Sequence, residues 1–550
     1  MMNEQRDAVL EVTGMTCDGC AQSVSNALRS AGVEEVSVSW QDGEAKFIWP
    51  AAMSEDALRS AVSHAGYSTG RLRLPIQATV VSPNAENDYD LLVIGAGSAG
   101  FAAAIRASEA GYRVGIVEAG EIGGTCVNVG CVPSKALLRA GETAWSVGHS
   151  PFGGIASSLD SVQLSQVLAQ KESLVQSLRQ TKYVNLAQEY GFSILHGHAS
   201  FISKDAVAVN GKPLTTSRIL IATGSSPAVP PIPGLLQSGF LTSSAALELS
   251  EIPSTLAVIG ANAIGIELGQ YFLHLGSKVT FIDVAERIVP FEEPEISAAL
   301  KDVLLGQGAV IFASTTIAEV SASPSGKVLR LEHNGVMETI LVDQILIATG
   351  RRPNTSDLRL DLAEIATSSS GAIVVDDGLR TTNEMVYAAG DVTGAPQFVY
   401  VSAYEGTLAV DNALLGAGRT VDFTALPRVI FSSPQVASAG MTQAQAAAGG
   451  YDVVTSTISL DAVPRALVNH DTNGLFKLVA EVGTGKLLGA SILAESAGEV
   501  VQSAVLAIKY GITVNDLALT FHPYLTMSEG LKLAAQAFTR DVSKLSCCAA

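Results

Sequence analysis

The strongest constraint on this chain is a pattern that it contains twice. Residues 89–118 run YDLLVIGAGSAGFAAAIRASEAGYRVGIVE, and residues 255–283 run TLAVIGANAIGIELGQYFLHLGSKVTFID. Each reads as an apolar strand, a glycine-rich turn, a helix, a second strand and a closing acid. Glu118 and Asp283 both fall 23 residues after the first glycine of their turn, Gly95 and Gly260. Each half later ends on the same six residues, ILIATG, at 219–224 and 345–350, so Thr223 and Gly224 match Thr349 and Gly350. Such duplication predicts two related domains, each built on a parallel sheet covered by helices.

Gly95, Gly97 and Gly100 form GxGxxG, where glycine gives the tight turn and the close approach of backbone to a pyrophosphate. This predicts a Rossmann-like dinucleotide site, with Glu118 accepting hydrogen bonds from an adenosine ribose. The second turn keeps Gly260 and Gly265 but has Asn262 in the middle. Asparagine tolerates a left-handed backbone better than most residues, so the turn is expected to survive with less room. Asp283 suits a free ribose hydroxyl and disfavours a 2'-phosphate, which favours NADH over NADPH. Further on, MVYAAGDVTG runs a short strand into Gly390 and Asp391, an acid placed to bond a cofactor's sugar alcohols.

Between the first turn and its ILIATG lies GGTCVNVGCVPSK, residues 123–135, leading into the helical run KALLRAGE. Cys126 and Cys131 are five residues apart, and by spacing alone they fit a structural disulfide or a buried pair as well as a redox site. Their place about 30 residues after GAGSAG puts them, with Gly124 and Thr125, beside the first dinucleotide. Helical sequence is expected from Leu159 to Glu189.

Six cysteines in 550 residues occur as three close pairs: Cys17 with Cys20, Cys126 with Cys131, Cys547 with Cys548. That is too sparse for a secreted disulfide scaffold and fits stations for thiol chemistry or soft-metal binding. Around the first pair, AVLEVTG, a helix, a hairpin with an Asp-Gly turn and a second helix give the order of a ferredoxin-like βαββαβ module, residues 1–73. Two thiols three residues apart at a loop-to-helix junction suit one soft ion, since the helix N-terminus lowers thiol pKa. A linker follows at 74–87. The first nucleotide domain is expected at 88–245, the second at 246–375, a return to the first at 376–424, and an α+β interface domain with the cysteine tail at 425–550. The net charge of -19 disfavours nucleic acid and anionic membrane as partners. The N-terminus lacks a basic and apolar leader, and the apolar runs are shorter than the about 20 residues that span a bilayer, so a cytoplasmic protein without membrane insertion is expected.

GMTCDGC and the module around it resemble the heavy-metal-associated domains. GGTCVNVGCVPSK, the two nucleotide repeats, AAGD and the interface domain resemble the flavin disulfide reductases over residues 88–540. The added metal module and the vicinal cysteine tail resemble the branch of that family that reduces ionic mercury. The resemblance implies FAD bound by Gly95, Gly97, Gly100, Glu118 and Asp391, and a nicotinamide cofactor on the Gly260 to Gly265 turn. It implies Cys131 as the thiolate facing the flavin, Cys126 as the outer thiol, and a Lys135–Glu267 ion pair beside the flavin. It also implies a homodimer, in which Cys547 and Cys548 reach the partner's cysteine pair. Hg(II) and its thiol complexes would be the substrate, handed over from a transporter or a periplasmic or cytoplasmic carrier. Hg(II) is soft and prefers paired thiolates, so three pairs fit a relay from Cys17 and Cys20 through the tail to Cys126 and Cys131. The disulfide reductases carry His-Pro-Thr with a nearby Glu, whereas this chain has His522-Pro523-Tyr524 and Glu529 seven positions after the His. That weakens an acid–base pair, and the resemblance to the mercury-reducing branch implies that Tyr524 contributes its hydroxyl beside the metal instead. A disulfide or dihydrolipoamide-type reductase and a metal-sequestering protein are the competing readings.

Overall fold

The computed structural model describes residues 6–50, 53–73, 84, 86–394 and 396–544. Most of the predicted linker and the whole Cys547–Cys548 tail lie outside the described residues. The chain divides into two compact units, Met1–Ser82 with Leu408–Thr420, and Pro83–Thr407 with Val421–Ala550.

In the first unit, the strand Arg6–Thr13 alternates Ala8, Leu10 and Val12 inward, as a strand with one buried face must. It is central to an antiparallel sheet, between Glu44–Trp49 and Ser68–Arg73, with Glu34–Ser39 outermost. Helices Asp18–Ser30 and Glu55–His64 place Val24 and Leu28, and Leu58 and Val62, four residues apart on their buried stripes. Ser54 starts the second helix by accepting from the Ala57 amide at 3.3 Å. This is the ferredoxin-like βαββαβ order.

The second unit holds both nucleotide domains. In the first, Val386–Ala388, Thr216–Ile221, Tyr89–Ile94, Val114–Glu118 and Ser193–His196 form a parallel sheet in that spatial order. In the second, the order is Val310–Phe312, Lys278–Ile282, Thr255–Ile259 and Gln344–Ile347, again parallel. Each sheet is accompanied by a small antiparallel one, near 199–214 and 315–342. The near-continuous apolar strands YDLLVI and TLAVI are buried on both faces, as parallel strands under helices require. Because Val386–Ala388 joins the first sheet, Gly390 and Asp391 emerge at the carboxyl end where the GAGSAG turn also lies.

The third part is a five-stranded antiparallel sheet from Pro427 to Ala494, backed by helices Ala497–Lys509 and Glu529–Gln536. Two boundaries differ from expectation. The helix predicted from Leu159 begins at Leu164, and it passes through a π-helical turn, Gln180–Val184, before ending at Tyr190. The helix after the cysteines begins at Cys131 itself and not at Lys135, because Pro133 is tolerated in a first helical turn. Among the described residues no helix is long and apolar enough to cross a membrane.

Candidate active site

The two cysteines stand on successive helices, Cys126 inside Gly124–Val129 and Cys131 at the first position of Cys131–Gly148. Gly124 makes this placement possible. A Cβ there would lie 2.7 Å from the Cα of Gly97, so only glycine lets the cysteine segment rest directly on the first nucleotide turn. Both thiols are free, Cys126 half-buried and Cys131 exposed. Cys131 is pulled down to about 7, first by a hydrogen bond with the Cys126 thiol and then by the nearby Lys135 charge, against the cost of burial. Cys126 is pushed the other way, since it is the partner that keeps its proton.

Lys135 lies one helical turn after Cys131 and donates to Glu267 Oε2 at 2.6 Å. Glu267, almost fully buried on the helix Ala263–His274, accepts from the Phe431 amide through Oε1 at 2.9 Å. The predicted ion pair is therefore formed within one chain, and its oxygens are both satisfied.

The two glycine turns repeat one another in space. A Cβ on Gly100 would meet the Gly95 carbonyl oxygen at 2.0 Å, and one on Gly265 would meet that of Gly260 at 1.9 Å. Glu118 accepts from the amides of Ala96 and Gly120, both at 2.7 Å, and Asp283 from those of Ala261 and Ala285 at 2.6 and 2.8 Å. Each acid braces its turn and keeps further lone pairs for a ligand. Neither following helix has a side-chain cap, so their first-turn amides are free to meet a pyrophosphate. The residues present thus fit two dinucleotides. One expectation is corrected: the middle residue is not left-handed in either turn, with φ of -84° at Gly97 and -106° at Asn262. Asparagine is tolerated there because the backbone is extended, and the choice of residue affects only the room left for the ligand.

The two ILIATG ends meet each other. Ser225–Pro227 pairs antiparallel with Arg351–Pro353. Thr223 Oγ1 donates to the Asn354 carbonyl at 2.7 Å, and Thr349 Oγ1 to that of Ala228 at 2.9 Å. Gly224 and Gly350 are left-handed at the bends. Asp391 accepts from Ser225 Oγ at 2.6 Å, which in turn accepts from Arg351 Nε at 2.7 Å. Ser225 and Arg351 were not singled out from sequence. The available signal was that they occupy the same place after the two ATG triplets.

In the first unit, Cys17 precedes the helix Asp18–Ser30 and its sulfur lies 3.4 Å from that of Cys20. Cys20 is pulled down to about 6 by the Thr16 backbone amide, the Tyr67 hydroxyl and Cys17. Tyr67 is a third residue not singled out from the sequence. No group of three or more His, Cys, Asp or Glu able to hold a metal occurs among the described residues. Tyr524 is half-exposed on the interface domain. His522 Nδ1 is directed to the Thr520 carbonyl, and buried Glu529 leaves Oε2 without a partner, so no hydrogen bond joins these two. Cys547 and Cys548 lie outside the described residues.

Residues 89–406 match the family model of pyridine nucleotide-disulphide oxidoreductases, and residues 426–535 match the dimerisation domain of the same family. Residues 9–68 match the heavy-metal-associated domain. The mercuric reductase of Staphylococcus aureus is 47% identical over 548 residues, covering 99% of this chain and all of that one. That of Acidithiobacillus ferrooxidans is 42% identical and covers both chains fully. Among solved structures, the HOCl-induced flavoprotein disulfide reductase RclA from Escherichia coli superposes with a TM-score of 0.74 at 32% identity, over 82% of this chain and 99% of that one.

Proposed function

The chain belongs to the pyridine nucleotide-disulphide oxidoreductases, and from that premise we propose that it is a mercuric reductase, converting Hg(II) to Hg(0) with electrons from a reduced nicotinamide. The observation that carries this is the coexistence of two thiol pairs on one chain, one in the metal module and one against the first nucleotide turn, in a sequence alike to mercuric reductases from end to end. Each turnover takes two electrons from the nicotinamide and gives them to thiol-bound Hg(II), so that NADH and one proton from solvent yield NAD+, Hg(0) and two thiols. A flavin, which we take to be FAD, supplies the two-electron link between nicotinamide and metal when bound.

The chain's own residues bind and hand on the ion. Cys20, held as a thiolate near neutral pH, attacks a thiol-bound Hg(II): a new Hg–S bond forms and the carrier thiolate leaves. Cys17 displaces the second carrier thiol in the same way. Cys547 and Cys548 are proposed to accept the ion next and pass it to Cys126 and Cys131 of the partner in a homodimer, for which the dimerisation domain speaks. At that pair Cys131 is the thiolate that attacks first, and Lys135 stabilises its charge while Glu267 keeps the ammonium in place. Tyr524 is proposed to offer its hydroxyl to the ion there. Gly95, Gly97, Gly100, Glu118, Gly124, Thr125 and Asp391 would hold the flavin nucleotide, and Gly260, Gly265, Asp283 and Gly350 the nicotinamide one. Asp283 favours NADH, since no phosphate group can share its place without repulsion. We place the protein in the cytoplasm, where reduced nicotinamide is made and thiols stay reduced.

Purified protein should oxidise NADH only when Hg(II) is added in excess thiol. Equal or faster turnover with oxidised glutathione or lipoamide, and none with Hg(II), would overturn the reading. Parallel assays with NADPH test the role given to Asp283.

A further inference from the structure

The Lys135–Glu267 pair is held from outside the two nucleotide domains. Its anchor is the segment Phe431 to Ser433, where the interface domain begins. Gln270, one turn after Glu267 and buried to the same degree, reads the backbone of that segment in both directions. The Ser433 amide donates to Gln270 Oε1 at 2.7 Å, and Gln270 Nε2 donates to the Ser433 carbonyl at 2.8 Å. Two residues earlier, the Phe431 amide donates to Glu267, and the Phe431 ring lies 4.7 Å from Lys135 Nζ. Glu267 and Gln270 lie three residues apart on one helix stripe, and that stripe takes the Phe431 and Ser433 amides together.

Packing alone does not hold the ammonium in place. A cavity of about 160 Å³ opens beside it, lined by Lys135, Glu267, Gln270, His274 and Phe431. A lysine with free space next to it samples several rotamers, and its field at Cys131 changes with each. What removes that freedom is the Glu267 carboxylate on one side and the Phe431 ring on the other. Both depend on where the 431–433 backbone sits.

We propose that Gln270 is a positioning residue for the reductive site: by gripping the Ser433 backbone, it seats Phe431 so that amide and ring together fix Glu267 and Lys135. This rests on the reading of Cys126, Cys131 and Lys135 as the reductive site. The interface domain then contributes to the electrostatics of its own subunit's thiols as well as to assembly.

The test uses the flavin-loaded dimer carrying Gln270→Met, which keeps volume and removes both bonds to Ser433 together with the one to Gln307. Gln307→Met is the control, because Gln307 accepts from Gln270 Nε2 and donates to the Ser433 carbonyl, and its loss leaves both bonds between Gln270 and Ser433 in place. Gln270→Met should speed amide exchange across 427–435, lower kcat about tenfold with KM nearly unchanged, and shift the visible flavin spectrum. Gln307→Met should keep kcat and spectrum. Unchanged kcat and spectrum in Gln270→Met, or equal losses in both variants that follow their thermal stability, would overturn the proposal. If Gln270→Met does not accumulate, Phe431→Leu decides: it keeps every backbone bond, and it must lower kcat and shift the spectrum for the proposal to stand. Amide exchange reports on the grip even if Hg(II) proves not to be the substrate, so the two readings fail separately.

Discussion

Tyr67→Phe isolates the electrostatic preparation of the capture site. Cys20 titrates at about 6 against the ordinary thiol value of 9.0, and the Tyr67 hydroxyl ranks second among the causes, after the Thr16 amide. Removing one such donor is expected to return about one of those pH units. The thiolate fraction at pH 6 then falls from about one half to about one tenth, whereas at pH 9 both proteins are almost fully ionised. Alkylation of Cys20 by iodoacetamide, followed residue by residue by mass spectrometry, should slow about fivefold at pH 6 and be unchanged at pH 9. Capture of Hg(II) from a thiol carrier by the same site should show the same convergence. A variant profile that superimposes on the parent throughout this range would refute the reasoning, and a uniform slowing at every pH would mean that Tyr67 shapes access instead of charge.

Gly265→Ala brings a Cβ to 1.9 Å from the Gly260 carbonyl, which forces the helix off its turn; the KM for NADH should rise at least about tenfold while flavin content stays constant. Glu405 is buried and accepts from the Gly390 amide at 2.6 Å, and burial pushes its carboxyl up to about 7 from 4.5. A raised folded-state value means its contribution is fully present below about 4.5 and is lost as pH rises through about 7, so Glu405→Gln should match the parent at pH 4 and exceed it by on the order of 3 kcal/mol at pH 8 in urea unfolding. Lys477 is buried among Glu293, Glu295 and Gln443 at 2.9–3.0 Å. Lys477→Met leaves the buried Glu293 carboxylate without its cation, while half-exposed Glu295 can turn to water, and should cost about 3 kcal/mol, read by the same unfolding at pH 7.

The parts of the fold that sequence predicts well are those that the backbone dictates locally. The first and third glycines of each turn are needed by the protein itself, because the first has a positive φ, 109° at Gly95 and 100° at Gly260, and a Cβ on the third meets the first one's carbonyl, and the closing acids sit where they brace that turn. Such features recur at fixed offsets and can be read from one strand–turn–helix at a time. Asn262 was placed correctly for the wrong reason, since the middle position is extended and answers to the ligand more than to the chain. The start of the helix at Cys131 was hidden by Pro133, which reads as a breaker unless its position in the first turn is already known.

What stayed out of reach is what depends on two distant segments meeting. Nothing in the string says that Ser225 and Arg351 bond each other and Asp391, although they hold equivalent places in the duplicate halves. Nothing marks Gln270 either, because a glutamine in an apolar helix carries no period and no motif. Yet these are the residues that join the nucleotide domains to each other and to the interface domain. Duplication explains why: once two copies of a binding unit exist, the local rules that make each copy fold are already satisfied in both. The residues that turn two sites into one enzyme must then lie at the contacts between copies, where no rule of local spacing applies. In this chain the Cys126–Cys131 segment rests on the first turn through Gly124, its countercharge is Lys135, held by Glu267 on the helix of the second, and that pair is fixed by Phe431 of the third part. A change that leaves every motif intact but shifts one of these three contacts is therefore expected to cost turnover before it costs cofactor binding.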